Sequence, residues 1–319
     1  MSIHLIPSSR RRFLAGGVVA LSGFAARRSV AQESASDPHL WALLADPHVA
    51  PESAFRGKER RIVERAKRLV PNLEAACRGV VALKSRPAGV LVNGDCVEFG
   101  TAEEYDLFLK SISGIVRAGV PVRLTPGNHD DRSRLLERAS RAPGVEARSE
   151  AADRIVSVVP SARANWFLLD SQPGTLERSQ IDWLAKALDA HADRPALVMV
   201  HHNINPSLEV GKRAKTILRS AAPYHQLSGG LTDTDEFLKV VLGRRHVKAV
   251  FTAHKHQLRI HRIDGVYFVF QPAVGFPFAE PDATGWLTLR LLEGGAALEM
   301  HAFDSRHAHA GVRLDLPWS

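Results

Sequence analysis

Cysteine is almost absent: Cys77 and Cys96 are the only two in 319 residues. Two thiols cannot build a disulfide framework, and their spacing is not that of a zinc site. Both read as small buried hydrophobes, with a single disulfide as the alternative. Acidic residues are missing from the first 31 positions, which carry Arg10, Arg11, Arg12, Arg27 and Arg28. Five of the 42 basic residues therefore lie there, and the other 37 face 34 acidic residues, a net of +3. The basic excess belongs to the N-terminus, so nucleic acid is not an expected partner. Beyond that terminus no run is long and apolar enough for stable membrane insertion. No internal repeat and no Pro-, Gly- or Ser-rich linker divides the remainder. Composition is otherwise ordinary, 45% apolar and 24% charged, enough for a sizeable core. One domain over residues 32–319 is expected.

Residues 1–31 resemble a twin-arginine export signal. Ser9-Arg10-Arg11-Arg12-Phe13-Leu14 matches the signature, and residues 13–26 form a short apolar stretch. Ser29-Val30-Ala31 offers the small residues a signal peptidase needs. Cleavage after Ala31, folding before export by the Tat machinery and a periplasmic or secreted location follow as expectations. A disordered basic terminus is the bland alternative.

After the terminus, strand-like and helix-like stretches alternate. Apolar runs of strand length stand at 39–45, 88–92, 120–124, 166–169, 196–200 and 247–252. Helical periodicity covers 57–84, broken near Pro71, then 102–117, 179–190 and 234–242. Thr101 is the expected N-cap of the helix at 102–117, with Glu104 at the capping-box position. Residues 203–232 lose the rhythm. Short strands at 258–263, 266–271, 285–292 and 297–303 suggest an antiparallel closing layer.

Polar residues collect where the apolar runs end, the place where α/β proteins put their chemistry. The first run ends in Asp46-Pro47-His48, and residues two apart in an extended segment point the same way. The second ends in Asn93-Gly94-Asp95. The third ends in Gly127-Asn128-His129-Asp130, where Gly127 lets the chain turn in a space a side chain would fill. His201-His202 and His254-Lys255-His256 follow two later runs. A lone Asp or His at a strand end is an ordinary turn residue; five such ends, two with paired ligands, are not. Imidazole, carboxylate and amide donors without thiolate suit Mn, Fe, Co, Ni or Zn rather than copper(I) or an iron–sulfur cluster. The donors are too many for one ion. Two ions ~3.5–4 Å apart would use them all if one carboxylate bridges. Two dications against Asp46, Asp95 and a bridging hydroxide leave positive charge, which favours an anionic substrate such as a phosphate ester.

Taken in order, Asp46-x-His48, Gly94-Asp95, Gly127-Asn128-His129-Asp130, His201 and His254-x-His256 resemble the motifs of the calcineurin-like metallophosphoesterases. The resemblance covers roughly residues 39–275. It implies a four-layer α-β-β-α sandwich of two mixed sheets, the metallo-dependent phosphatase-like fold. It implies two divalent or mixed-valence ions among Mn, Fe, Zn and Co. Asp46, His48, Asp95 and His256 would hold the first, and Asp95, Asn128, His201 and His254 the second, with Asp95 as bridge. The implied activity is hydrolysis of a small-molecule phosphate ester by metal-bound hydroxide, a phosphodiester before a phosphomonoester. A catalytically silent metal-binding scaffold is the reading from a different class. His129 resembles the family's non-ligand histidine, which stabilises phosphate charge or protonates the leaving oxygen. Asp130 would orient it. Asn128, His129 and His202 are the expected substrate contacts.

The chain also departs from the family. Ala253 stands where a glycine is usual, and Asn203 where many relatives have proline. Glu98 replaces the tyrosine ligand of purple acid phosphatases, and Glu98-Phe99-Gly100 replaces the Asp-Arg-Gly of the Ser/Thr phosphatases. The paired histidines look more like class III cyclic-nucleotide and glycerophosphodiester phosphodiesterases. Residues 203–232, with Lys212, Arg213, Lys215, Arg219, Tyr224 and His225, are either a basic substrate loop or a solvated helix face. His301, His307 and His309 match no ligand motif and read as surface residues.

Overall fold

The first apolar run becomes β1 (Ser36–Ala45) in a computed structural model that describes residues 35–151, 153–220 and 229–318. The twin-arginine motif, the cleavage site, Tyr224 and His225 lie outside the described residues. α1 (Arg60–Val81) follows as one helix, without the expected break at Pro71. Pro71 sits on its exposed face, so the Lys67 carbonyl that loses an N–H partner is open to water. After β2 (Arg86–Asn93), α2 (Ala102–Arg117) begins as expected. The Thr101 side chain accepts from the Glu104 N–H, and the Glu104 carboxylate accepts from the Thr101 N–H. Such a capping box stabilises the helix start by about 1 kcal/mol.

β3 (Val122–Thr125), α3 (Arg132–Ser140), β4 (Val145–Glu146), β5 (Ser157–Pro160), β6 (Asn165–Leu168), α4 (Glu177–Ala190) and β7 (Ala196–Met199) come next. Where the rhythm fails, the described residues form α5 (Leu208–Lys212) and β8 (Lys215–Leu218). The chain ends with α6 (Thr234–Leu242), β9 (Val247–Thr252), β10 (Arg259–Ile263), β11 (Val266–Phe270), β12 (Gly285–Leu292), β13 (Gly295–Ala302) and β14 (Arg313–Pro317).

Two mixed seven-stranded sheets result, ordered β14-β13-β12-β1-β2-β3-β4 and β5-β6-β7-β9-β11-β10-β8. The last strands do not form a closing layer of their own. β12 joins the first sheet antiparallel to β1 and β13 and β14 extend it, each antiparallel to the strand before, while β10 and β11 enter the second, β11 parallel to β9. β11 is buried along its whole length, as suits an interior strand.

Strand alternation splits the core into layers. On β1, Trp41 and Leu43 face the second sheet, while Ala42 and Leu44 face α1 and α2. On β7, Leu197 and Met199 meet them, while Ala196 and Val198 face α4 and α6. The order helix, sheet, sheet, helix is the four-layer sandwich. Trp41 and Trp166 meet between the sheets with centroids 5.8 Å apart, each buried large side chain contributing about 1.5–3 kcal/mol. Cys77 and Cys96 are free and buried in the helix-facing layer. Ser34–Ser319 forms one compact unit, and no helix among the described residues is long and apolar enough to cross a membrane.

Candidate metal centre

One buried amide ties the two sheets together beneath the site. The Asn93 side chain, at the end of β2, donates to Gln271 Oε1 (2.7 Å) and to the carbonyls of Val200 (3.3 Å) and Phe251 (3.4 Å). The Asn93 main-chain carbonyl accepts from His201 Nδ1 (3.1 Å). The ends of β2, β7, β9 and β11 are thereby fixed to one another. The loops beyond them bond as well: His48 N to Asp95 O (2.9 Å), Ala253 N to His201 O (2.8 Å), and His254 N to the Asp46 carboxylate (3.1 Å).

Above this platform the expected ligands converge. His48 Nε2 lies 3.2 Å from His256 Nε2 and 3.5 Å from Asp95 Oδ2, and His256 Nε2 lies 3.5 Å from Asp46 Oδ1. His201 Nε2 lies 3.3 Å from the same Asp95 Oδ2 and 3.2 Å from Asn128 Oδ1. His254 joins Asp95 and His201 in a group whose ligand atoms lie within 4.8 Å of one another. Asp95 therefore belongs to both ligand sets. These donors fit divalent cations, because three rings have the other nitrogen already engaged. Nδ1 of His48 bonds Glu98 Oε2 (2.7 Å), that of His201 the Asn93 carbonyl, and that of His256 the Phe276 carbonyl (2.6 Å). An acceptor at Nδ1 fixes the tautomer and leaves the Nε2 lone pair for a metal.

The backbone is bent to make this cluster. Asp46, His48, Asp95, His254 and His256 all have φ between 47° and 66°, the left-handed region that side chains rarely adopt. The i/i+2 pairs thus share a target because both members sit in left-handed turns, not because the segment is extended. The same fact settles the Ala253 departure: positive φ falls on His254 and His256, and Ala253 needs none. Glycine is required elsewhere. A Cβ on Gly127 would overlap the Asp95 carboxylate and backbone nitrogen, and one on Gly94 would overlap the His201 ring.

Burial opposes charge on His201, but the Asp95 and Asp46 carboxylates outweigh it and push that imidazole up to about 9. Burial, with the charge on His201, pushes His202 down to about 3 and His254 down to about 2. Neutral imidazoles are the form that binds metal.

Asp130 does not orient His129. Its carboxylate accepts from Gly127 N (2.8 Å), Cys96 N (3.2 Å) and the Tyr105 hydroxyl (3.0 Å), bonds that shape the loop rather than reach the ring. His129 Nδ1 instead donates to the Glu98 carbonyl (2.7 Å), while its backbone N–H bonds Asp95 Oδ1 (2.9 Å). One nitrogen of His129 lies within 4.8 Å of ligand atoms of His48 and Asp95. His202 is buried against Ser171, whose Oγ lies 2.9 Å from its Nδ1, and its ring centroid is 4.6 Å from that of His254.

The segment after His202 divides. Lys212 pairs with Glu209 (2.9 Å) and Arg213 with Asp264 (2.7 Å). Asp264 precedes β11, so this pair lies at the opposite end of the second sheet from the His254 loop. Lys215 and Arg219 are exposed on and beside β8. Among the described residues of the segment, its return approaches the site: a Cβ on Gly229 would lie 3.2 Å from His254 Nε2. His301 lies half-buried against Trp286, and His309 is buried in the turn after β13 rather than at the surface; neither joins a ligand cluster among the described residues.

Several contributors escaped the sequence reading. Glu98 was visible only as a substitution, although a carboxylate three residues after Asp95 was the available signal. β6 also ends in a buried acid, Asp170, held by Arg132 Nε (2.5 Å) and Nη2 (3.0 Å), which pins the loop after Asp130. Gln271 and Phe276 follow a buried run just as the ligands do.

The family model of calcineurin-like phosphoesterases matches residues 36–258. A 3′,5′-cyclic adenosine monophosphate phosphodiesterase CpdA from Haemophilus influenzae is 26% identical over 220 residues, 67% of this chain and 70% of that protein. A glycerophosphodiester phosphodiesterase GpdQ from Enterobacter lignolyticus is 30% identical over 134 residues, 40% of this chain and 45% of that protein. The chain spans between 45% and 70% of the length of the curated relatives it matches. Among solved structures, a dimetal phosphatase from Danio rerio aligns with a TM-score of 0.62 at 15% identity, over 89% of this chain and all of that one. That likeness speaks for the fold. The family model takes in all five clustered motifs and well over half of the sequence, so the chain belongs to the calcineurin-like phosphoesterase family.

Proposed function

We propose that the chain hydrolyses phosphodiesters with two divalent cations. Asp46, His48, Asp95 and His256 hold one; Asp95, Asn128, His201 and His254 hold the other. The observation that carries this reading is Asp95 Oδ2, 3.5 Å from His48 Nε2 and 3.3 Å from His201 Nε2, a carboxylate shared by two ligand sets. Bound there, the cations would supply a water acidic enough to be the nucleophile near neutral pH and would neutralise phosphate charge.

The chain's own residues do the rest. His129 is about one-third exposed, and its Nδ1–H is engaged by the Glu98 carbonyl. Its Nε2 is left for the phosphate or the leaving oxygen, donating when protonated. Ser171 Oγ accepts from His202 N (3.1 Å) and lies 2.9 Å from His202 Nδ1, where it can donate its single hydrogen. In that tautomer His202 is neutral with the proton on Nε2, a donor for a substrate oxygen. Asn128, exposed beside His201, supplies an amide at the same opening. The relatives named as phosphodiesterases support a diester over a monoester.

Metal-loaded protein should cleave bis(p-nitrophenyl) phosphate faster than p-nitrophenyl phosphate in manganese. Inactivity on both, with metal bound, would leave a binding scaffold, and the reverse preference would make it a monoesterase. Export of the precursor to the periplasm by the twin-arginine route belongs to the same proposal. Changing Arg10 and Arg11 to Lys should hold it in the cytoplasm, and unaltered export would remove the reading.

A further inference from the structure

The turn after β11 presents an aromatic ring to solvent beside the metal ligands. Phe276 packs its ring 4.6 Å from His256 and 5.0 Å from His48, centroid to centroid. Phe278 lies parallel on His256, 4.0 Å away and tilted by 12°, yet it is 57% exposed. One face of this phenyl covers a ligand imidazole; the ring is held flat and remains open to solvent. Beside it runs a groove of about 560 Å³ between α1 and the turn. Arg61, Arg65 and Arg68 line it from a single face of α1, at i, i+4 and i+7. Arg65 lies 3.7 Å over the Phe276 ring. The other wall carries carboxylates, among them Glu280 and Asp304.

We infer that this groove is the leaving-group subsite and takes the nucleobase of a nucleoside phosphodiester, stacked on Phe278; the inference rests on the phosphodiesterase reading. The chemistry of the walls selects the class. A second phosphate would meet the arginines but also the acids. A glycerol-type group would leave the phenyl face wet. A nucleobase offers a flat π-face for Phe278 and both donors and acceptors at its edge, for acids and guanidinium groups together. The volume lies within the range of small-ligand sites.

The test is the ratio of kcat/KM for adenosine 3′,5′-cyclic phosphate to that for glycerophosphoethanolamine, measured on manganese-loaded protein. The wild type should favour the nucleotide. Phe278→Ala should lower the ratio about tenfold or more, the usual scale for a lost base–aromatic stack, and Phe278→Trp should keep it. Calorimetric binding of adenosine monophosphate should weaken by a similar factor in Phe278→Ala. A wild-type preference for the glycerol diester, or a ratio that Phe278→Ala leaves unmoved, overturns the inference. If neither ester is cleaved, the hydrolase reading fails by itself. Adenosine monophosphate binding then decides the subsite: unchanged affinity in Phe278→Ala refutes it, and weakened affinity upholds it.

Discussion

Glu98 touches two histidines in two ways, and a substitution separates them. Its carboxylate accepts from His48 Nδ1 at 2.7 Å, and its main-chain carbonyl accepts from His129 Nδ1 at 2.7 Å. Burial opposes the charge on Glu98, but the bond to His48 outweighs it and holds the carboxyl below its ordinary value. Glu98→Ala removes the first contact and keeps the second. A hydrogen bond to a charged group contributes about 1.5–3 kcal/mol, and loss of a comparable partner behind a metal-bound histidine costs roughly 10–100-fold in affinity. At about 1.4 kcal/mol per factor of ten, the two scales agree. The assay is a calorimetric titration of chelator-stripped protein with manganese. The expected result is one site weakened by 10–100-fold, the site that uses His48, with Glu98→Gln closer to wild type because its amide oxygen still accepts. Wild-type affinity at both sites in Glu98→Ala would refute the claim that this carboxylate positions the ring.

Asn93→Ala should destabilise the fold by about 3 kcal/mol in urea unfolding, since Gln271 Oε1 and two buried carbonyls lose their donor; a change under about 1 kcal/mol would contradict the tie between the sheets. Gly127→Ala should displace Asp95 and abolish binding of both ions while circular dichroism stays near wild type, and a variant that holds two ions would show that the loop has room. Asn128→Ala should lose the second ion and most activity, and metal analysis returning two tightly held ions would remove Asn128 from the ligand set.

The fold was legible wherever a segment announces itself locally. α6 and β9 run over the expected residues, and α2 begins at the expected cap, because periodicity and a capping box are written in neighbouring positions. Pairing is not local. Nothing within residues 258–303 distinguishes an antiparallel layer of their own from strands shared between two sheets; that depends on β1 and β9, which offer free edges to β12 and β11. Pro71 misled for a similar reason. Its cost depends on whether the orphaned carbonyl faces protein or water, and the helix orients it outward only after packing.

The site divides along a different line. The candidate metal ligands were readable, because five buried runs that each end in imidazole, carboxylate or amide side chains have few other reasons to do so. What positions them is largely main chain: the carbonyls of Asn93, Glu98 and Phe276 receive the Nδ1 protons of His201, His129 and His256. A carbonyl has no residue identity, so no motif records it. Left-handed φ at five candidate ligand positions is equally silent, and at about 1 kcal/mol or more each it is comparable with the whole stability of a domain. Such strain persists only where the surroundings over-determine it. The Asp46 carboxylate on His254 N, the Asp130 carboxylate on Gly127 and Cys96, and the Asn93 amide across the strand ends supply that constraint. Asp130 was assigned to the chemistry on sequence grounds, and its bonds place it in this second group. A polar residue inside a ligand motif therefore has two physical uses, to meet the substrate or to hold the loop that does, and only its hydrogen-bond partners tell them apart.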